Sequence, residues 1–175
     1  LKDADMAVRF LLSNDRQEAE EMAQILDATN NERREKESEM IETALKLADV
    51  QKNNPALILV SPEFHEGVNG IVATRLVERF YKPVVILSES EGGLKGSGRS
   101  IPELNLKEIL SDCSDLLERF GGHAAAAGCS LMSEHLSVFR DRFISLCNER
   151  LPESLVPKLE LDGALDYPEV TEKFV

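Results

Sequence analysis

Two short runs of this sequence have the residue types that bind an anion. GGLKGSGRS, residues 92–100, carries Arg99, and GGHAAAAG, residues 121–128, carries His123. Arginine presents a planar fork of donors that matches phosphate oxygens. Histidine can hydrogen-bond a phosphate or assist a leaving group near neutral pH. Glycine lets a ligand approach the backbone closely. A short amphipathic helix between the two runs, with a glycine-rich loop at each end, would bring them together on one surface. In that cleft Arg99 would hold a phosphate, and Ser97, Gly98 and Ser100 would add backbone and hydroxyl donors. His123 would stand beside it, with Gly121 and Gly122 clearing the approach. Each residue also has a plainer use. Arg99 could pair with a surface carboxylate, His123 could bond nearby backbone, and Gly121 could serve as a helix C-cap. A second anion position is expected where His65, Gly67, Asn69 and Gly70 open a helix, whose start presents free N–H groups. The alternative there is an ordinary loop, with Glu66 stabilising the helix start.

The elements that must position these residues follow from apolar spacing. ADMAVRFLL, residues 4–12, reads as a short helix. Asn14 or Asp15 then caps a long helix to about Lys52, and Asp15 with Glu18 has capping-box spacing. The middle of that helix, TNNERREKESE, is polar on every side, as in helices that bridge domains through solvent. ALILV (56–60) and VVILS (84–88) read as buried strands around a helix from Val68 to Tyr81. That β-α-β order predicts an α/β domain with some parallel pairing. Residues 95–101 are expected as a strand or strand edge carrying Arg99. Leu106, Ile109, Leu110, Cys113, Leu116, Leu117 and Phe120 predict one helix from an Asn105 cap to Gly121. AAAAGCSLM (124–132) reads as a strand of small residues, and Ser133 as the cap of a last helix. KLELDGAL, in the proline-punctuated tail, alternates like an exposed edge strand.

The 175 residues include 20 basic and 32 acidic side chains, a net charge of −12. Free-standing nucleic-acid binders are usually basic, so any phosphate contact must be local and confined to a cleft. Residues 92–128 hold four cations (Lys95, Arg99, Lys107, Arg119) and five anions (Glu103, Glu108, Asp112, Asp115, Glu118), 4 − 5 = −1, which is no basic patch along the sequence. Cys113, Cys129 and Cys147 lack metal-ligand spacing and read as reduced core thiols of a cytoplasmic protein. His65, His123 and His135 have no paired-ligand spacing either, so no metal site is expected. No apolar run is long enough to span a membrane.

GSGRS, CSDLLERFGGH and HEGVNGIVATRLVERF, in their order and spacing, resemble the RecJ-type single-strand exonucleases of the DHH phosphoesterase superfamily. The likeness runs from about Ala4 to Leu151. It lies in their DHH-associated domain, marked by a GGH-x-x-x-A-G loop. The resemblance implies a central mixed sheet flanked by helices, preceded by a long linker helix. It implies three parts: a helical linker over 1–53, the DHH-associated domain over 54–151, and the truncated start of an oligonucleotide-binding domain over 152–175. The start at Leu1 likewise suggests a piece of a longer protein. No DHH triplet occurs here, so the divalent metal of such enzymes, Mn or Mg, would sit in a missing catalytic domain. The piece alone is expected to be inactive. Its partners would be single-stranded DNA and that catalytic domain, and an exposed tail strand could also give a homodimer. The implied parent degrades single-stranded DNA from the 5′ end. Two other readings stay open: a phosphoesterase for short oligonucleotides or nucleotide bisphosphates, and a non-enzymatic protein-interaction module.

Overall fold

The computed structural model describes residues 4–158, 161 and 163. Helix α1 (Ala4–Leu12) leads into α2 (Arg16–Gln51), a 36-residue helix. Asp15 caps α2 by accepting from the backbone N–H of Gln17 and Glu18. Glu18 does not return the capping-box bond; its carboxylate takes Arg9 and the Ser13 hydroxyl instead. The middle of α2 is polar because little packs there. Met22 is buried near its start, and Met40, Ala44 and Ala48 are buried near its end.

The rest is one five-stranded mixed sheet in the order β1-β2-β3-β5-β4. The strands are β1 (Leu57–Val60), β2 (Val84–Ser90), β3 (Gly93–Arg99), β4 (Arg119–Gly122) and β5 (Ala126–Leu131). β1 and β2 pair in parallel across α3 (Glu66–Phe80), as the β-α-β pattern predicts. All other pairs are antiparallel. The outer edge of β1 is protected: the Gln51 side chain accepts from Ile58 N–H (3.2 Å) and donates to Ile58 C=O (3.0 Å). An edge residue so satisfied offers no template for another strand.

Each sheet face carries a core. One packs α2 and α3 through Met40, Ala44, Val72 and Leu76 onto Leu57, Leu59, Val84 and Ile86. The other packs α4 (Leu106–Asp112) and α5 (Leu136–Arg150) onto Val85, Leu87, Leu94, Cys129 and Leu131, with Phe139 and Phe143 fully buried.

Three local expectations are corrected. The helix beginning at Asn105 stops at Asp112, and a 3-10 turn at Ser114–Leu116 follows. A helix plus a 3-10 turn still points every third or fourth residue inward, so the stripe through Leu116 is buried although the helix is short. Residues 119–122 are then taken by ladder pairing with β5, which leaves Phe120 at 38% exposure. Gly121 is therefore a strand residue, not a helix C-cap. Ser133 makes no side-chain cap; it begins a 3-10 turn, and His135 precedes α5 with its ring bonded to Leu116 C=O. The strand expected at 95–101 is present as β3, which carries Arg99 and lies at the centre of the sheet. Most of the tail run KLELDGAL lies outside the described residues, and Lys158, Leu161 and Gly163, which are described, are in no strand.

The strand glycines Gly96, Gly121 and Gly128 divide by face. A Cβ on Gly96 would stand 2.5 Å from Leu87 Cδ2 and 3.1 Å from Ile86 C=O, inside the α4/α5 core. A Cβ on Gly128 would have its nearest neighbour at 3.5 Å, and one on Gly121 would meet nothing within 4 Å. Gly96→Ala should thus cost about 1–3 kcal/mol through overpacking. Gly121→Ala and Gly128→Ala should stay within about 0.5 kcal/mol of the parent. Urea unfolding of the three variants checks this ordering; equal losses at all three would refute the division by face.

Candidate anion-binding groove on the open half of the sheet

Directly paired residues in adjacent strands project to the same face of a sheet. The register therefore sorts the central residues without ambiguity. On the α2/α3 side lie the rows Ser88–Lys95–Ser130–Arg119, Ile86–Ser97–Gly128–Gly121 and Val84–Arg99–Ala126. On the α4/α5 side lie Leu87–Gly96–Cys129–Phe120 and Val85–Gly98–Ala127–Gly122. Helix α3 packs on β2 and β3, whereas the helix that packs on β5 and β4 is α4, on the opposite face. The β5–β4 half is left open beside the start of α3. A groove of about 570 Å³ occupies that step. Its floor includes Ser97, Gly121 and Gly128, and Lys95 and Arg119 stand along it. The floor has almost no side chains, so a ligand could lie against the backbone itself.

The fold also sorts charge. Lys95, Arg99 and Arg119 share this face. Four of the five carboxylates that cancel them along the sequence are engaged elsewhere, and the fifth, Glu118, lines a neighbouring hollow with Lys95 and Arg119. Asp112 pairs with Arg150 and Asp115 with Arg142, between α4, the 3-10 turn and α5. Glu103 accepts from the Tyr81 hydroxyl at 3.0 Å, and Glu108 accepts from the Asn105 side chain at 2.8 Å. Arg119 has no ion-pair partner among the described residues. Lys95 Nζ lies 3.3 Å from Glu66 Oε2, with both side chains more than half exposed. Such a pair contributes about 0.2–1 kcal/mol, little enough for an incoming phosphate to displace the carboxylate.

The two motifs do meet, through strand pairing and not through a connecting helix. Ser100 N–H donates to Ala125 C=O (2.9 Å), Leu106 N–H donates to Ala124 C=O (2.9 Å), and His123 N–H closes the β4–β5 turn on Ala126 C=O (2.8 Å). The exposed His123 thus sits beside the Arg99 end of β3. The Arg99 guanidinium lies against α3, where its Nη2 is 2.8 Å from the place a Cβ on Gly70 would occupy, and Nη1 donates to Gly98 C=O at 2.9 Å. Gly70 is what makes that seat.

Ser97, Gly121 and Asn69 line the groove itself. Gly98 does not: its Cβ position faces Leu106 of α4, 2.8 Å from Cδ2, so its lack of a side chain serves packing. The Ser100 hydroxyl is committed to Leu104 C=O at 2.8 Å. Gly122 has φ +138° and a Cβ position against Ala126 and Ala127, so it belongs to the turn. His65 is the N-cap of α3, accepting from Gly67 N–H at 3.1 Å. It faces a separate hollow with Met40 and Thr43. The helix begins at Glu66, so Asn69 stands within α3, not at its start.

Lys95, Arg119, Ser130 and Glu66 join the groove without having been singled out by their local motifs. The signal available was alternation: 95, 97, 99 and 126, 128, 130 are polar or small on one face, with residues of the packed core between them. No group of three or more His, Cys, Asp or Glu that could hold a metal ion occurs among the described residues. The thiols are no substitute nucleophiles, because burial pushes Cys113 up to about 11 and Cys129 and Cys147 up to about 12. Among the described residues no helix is long and apolar enough to cross a membrane.

Residues 53–149 match the DHHA1 domain family. The chain is 38% identical over 175 residues to the single-stranded-DNA-specific exonuclease RecJ of Bacillus subtilis (strain 168), covering 98% of this chain and 22% of that protein. It is 38% identical over 182 residues to the RecJ of Escherichia coli (strain K12), covering 98% and 32%. A crystal structure of RecJ from Thermus thermophilus in complex with Mg2+ matches with a TM-score of 0.78 at 35% identity, over 86% of this chain and 23% of that one. A crystal structure of exonuclease RecJ bound to manganese matches with a TM-score of 0.77 at 34% identity, over 86% and 37%. The chain thus spans about a fifth to a third of the length of these curated relatives. With more than half of its residues matched, the chain belongs to the DHHA1 domain family, in the form carried by RecJ exonucleases.

Proposed function

We propose that this chain is the strand-holding part of a single-stranded DNA exonuclease that works from the 5′ end. The observation that carries the proposal is the sorting of charge. In a chain of net charge −12, Lys95 and Arg119 stand on an open sheet face over a floor with almost no side chains, and Arg99 lies on the same face against α3. A phosphodiester backbone is the ligand that such a floor and such cations suit, since every nucleotide brings the same phosphate and the same slim profile. In this reading Arg99, seated on Gly70, holds a phosphate, Ser97 donates from the floor, and His123 stands over the neighbouring or terminal phosphate. Gly121 lets the strand approach, and Gly122 shapes the turn that carries His123. Gly98 and Ser100 act indirectly, through the packing and the loop that set Arg99. His65 caps α3 beside a separate hollow, and Asn69 stands within α3 on the groove.

The longer protein would run from a catalytic domain through a helical linker (1–53) and this domain (54–151) to an oligonucleotide-binding domain beginning at 152–175. A divalent metal, Mn or Mg, would be held by that catalytic domain, because the groove offers no ligand set for it. Hydrolysis would belong to that domain, and this chain positions the strand against it. The three unpaired, buried thiols suit a cytoplasmic location.

The test is binding of a 5′-phosphorylated single strand to the purified chain at low salt. Lys95→Ala with Arg119→Ala should weaken binding about tenfold and lower the salt dependence of log K by about 1.4, two phosphates at roughly 0.7 each. Unchanged affinity and slope would remove the groove from the interface. Glu66→Gln should tighten binding severalfold, because it frees Lys95 and removes a carboxylate from the rim; weaker binding would contradict the proposed competition. Gly70→Ala should leave the unfolding midpoint near that of the parent, since it meets only the tip of a flexible side chain. It should nevertheless weaken binding as much as Arg99→Ala does. Purified chain given Mn or Mg should not hydrolyse the strand.

A further inference from the structure

Asn69 holds a polar atom that neither the fold nor a phosphate can satisfy. The residue is 1% exposed, within α3, and lines the groove. Its Nδ2 donates to Ser88 Oγ at 3.0 Å, and Ser88 Oγ donates in turn to Lys95 C=O at 3.3 Å. This relay uses one of the two amide N–H groups on Ser88 and leaves Oδ1 without a donor. Oδ1 is buried with no hydrogen-bond partner. A buried acceptor left unpaired is destabilising, and native structures rarely keep one without a use. The cations and hydroxyls of the groove are donors, matched to phosphate oxygens. Phosphodiester oxygens are acceptors only, so they cannot bond to Oδ1. What Oδ1 lacks is an N–H or O–H.

We propose that Asn69 Oδ1 reads a neutral hydrogen-bond donor on the nucleotide lodged in the groove, supplied by the exocyclic amino group of a base or by a ribose 2′-hydroxyl. The inference rests on the reading that the groove takes a single strand, and it adds a specificity-determining residue to a site otherwise suited to the backbone. Cations and floor would hold any strand; Asn69 would rank the strands.

The experiment measures affinities of this chain and of its Asn69→Leu variant for two matched pairs of short strands. One pair is oligodeoxycytidine and its N4,N4-dimethyl form. The other is oligoribocytidine and its 2′-O-methyl form. Each methylation removes a donor without altering the phosphates. The parent chain should lose about tenfold in affinity on methylation in one of the pairs, which identifies the source of the donor. Asn69→Leu should lose no more than twofold in that same pair. Ser88→Ala, which frees the amide to rotate, should fall between. Asn69→Leu removes an unpaired buried oxygen, so its unfolding midpoint should equal or exceed that of the parent. If it unfolds instead, Ser88→Ala carries the test, and a full tenfold discrimination in that variant overturns the proposal. A parent chain indifferent to both methylations overturns it while leaving the groove reading intact. So does a variant that weakens equally on every strand, since that would mean the amide donates to phosphate. Binding of no strand by the parent chain overturns both readings.

Discussion

The antiparallel pairing of β3 with β5 is the constraint on which the rest depends. It places Lys95 opposite Ser130, Ser97 opposite Gly128 and Arg99 opposite Ala126. A slip of one residue would exchange the faces. Lys95, Ser97 and Arg99 would then enter the α4/α5 core, and Gly96 and Gly98 would line the groove. The register is held from both sides. Gly96 and Gly98 lie where Leu87 and Leu106 leave no room for a side chain, and Leu94 and Leu131 are buried in the same core. The same pairing carries β4 and its turn, so the position of His123 relative to Arg99 follows from it.

The groove exists because the two faces are covered unequally. The α4/α5 side is packed across β3 and β5, with Phe120 of β4 partly exposed at its edge. The α2/α3 side is packed only as far as β3. The uncovered strands carry small or polar residues on that side, so leaving them open does not strand apolar surface in water. Charge follows the same partition. Asp112 and Asp115 are tied to arginines of α5, away from the groove, and the cations of β3 and β4 stay on the open face. An acidic chain in this way gathers Lys95, Arg99 and Arg119 on one sheet face, a grouping that a count along the sequence conceals.

The sequence made the element order legible, with the long helix, the β-α-β unit and the last helix each marked by period or cap. It misled where two periods compete. From Leu106 to Phe120 the helical spacing is intact, yet pairing with β5 claims the backbone from Arg119 onward, and a long-range ladder leaves no trace in a local window. The motif residues Arg99 and His123 were legible as a pair, but not how they meet, because the strand that brings them together lies after His123. Lys95 and Arg119 could not be grouped at all without the register. The glycines looked alike in sequence. Only their faces separate Gly96 and Gly98, which serve packing, from Gly121 and Gly128, which leave the floor bare.

The most direct measurement is chemical-shift mapping of a 5′-phosphorylated single strand titrated into the chain at low salt. Shifts should gather on Lys95, Ser97, Arg99, Arg119, Gly121, Gly128 and Ser130, fade as salt rises, and spare α4 and α5. Shifts centred on α4 and α5, or no shifts at millimolar strand, would contradict the assignment of this sheet face to nucleic acid.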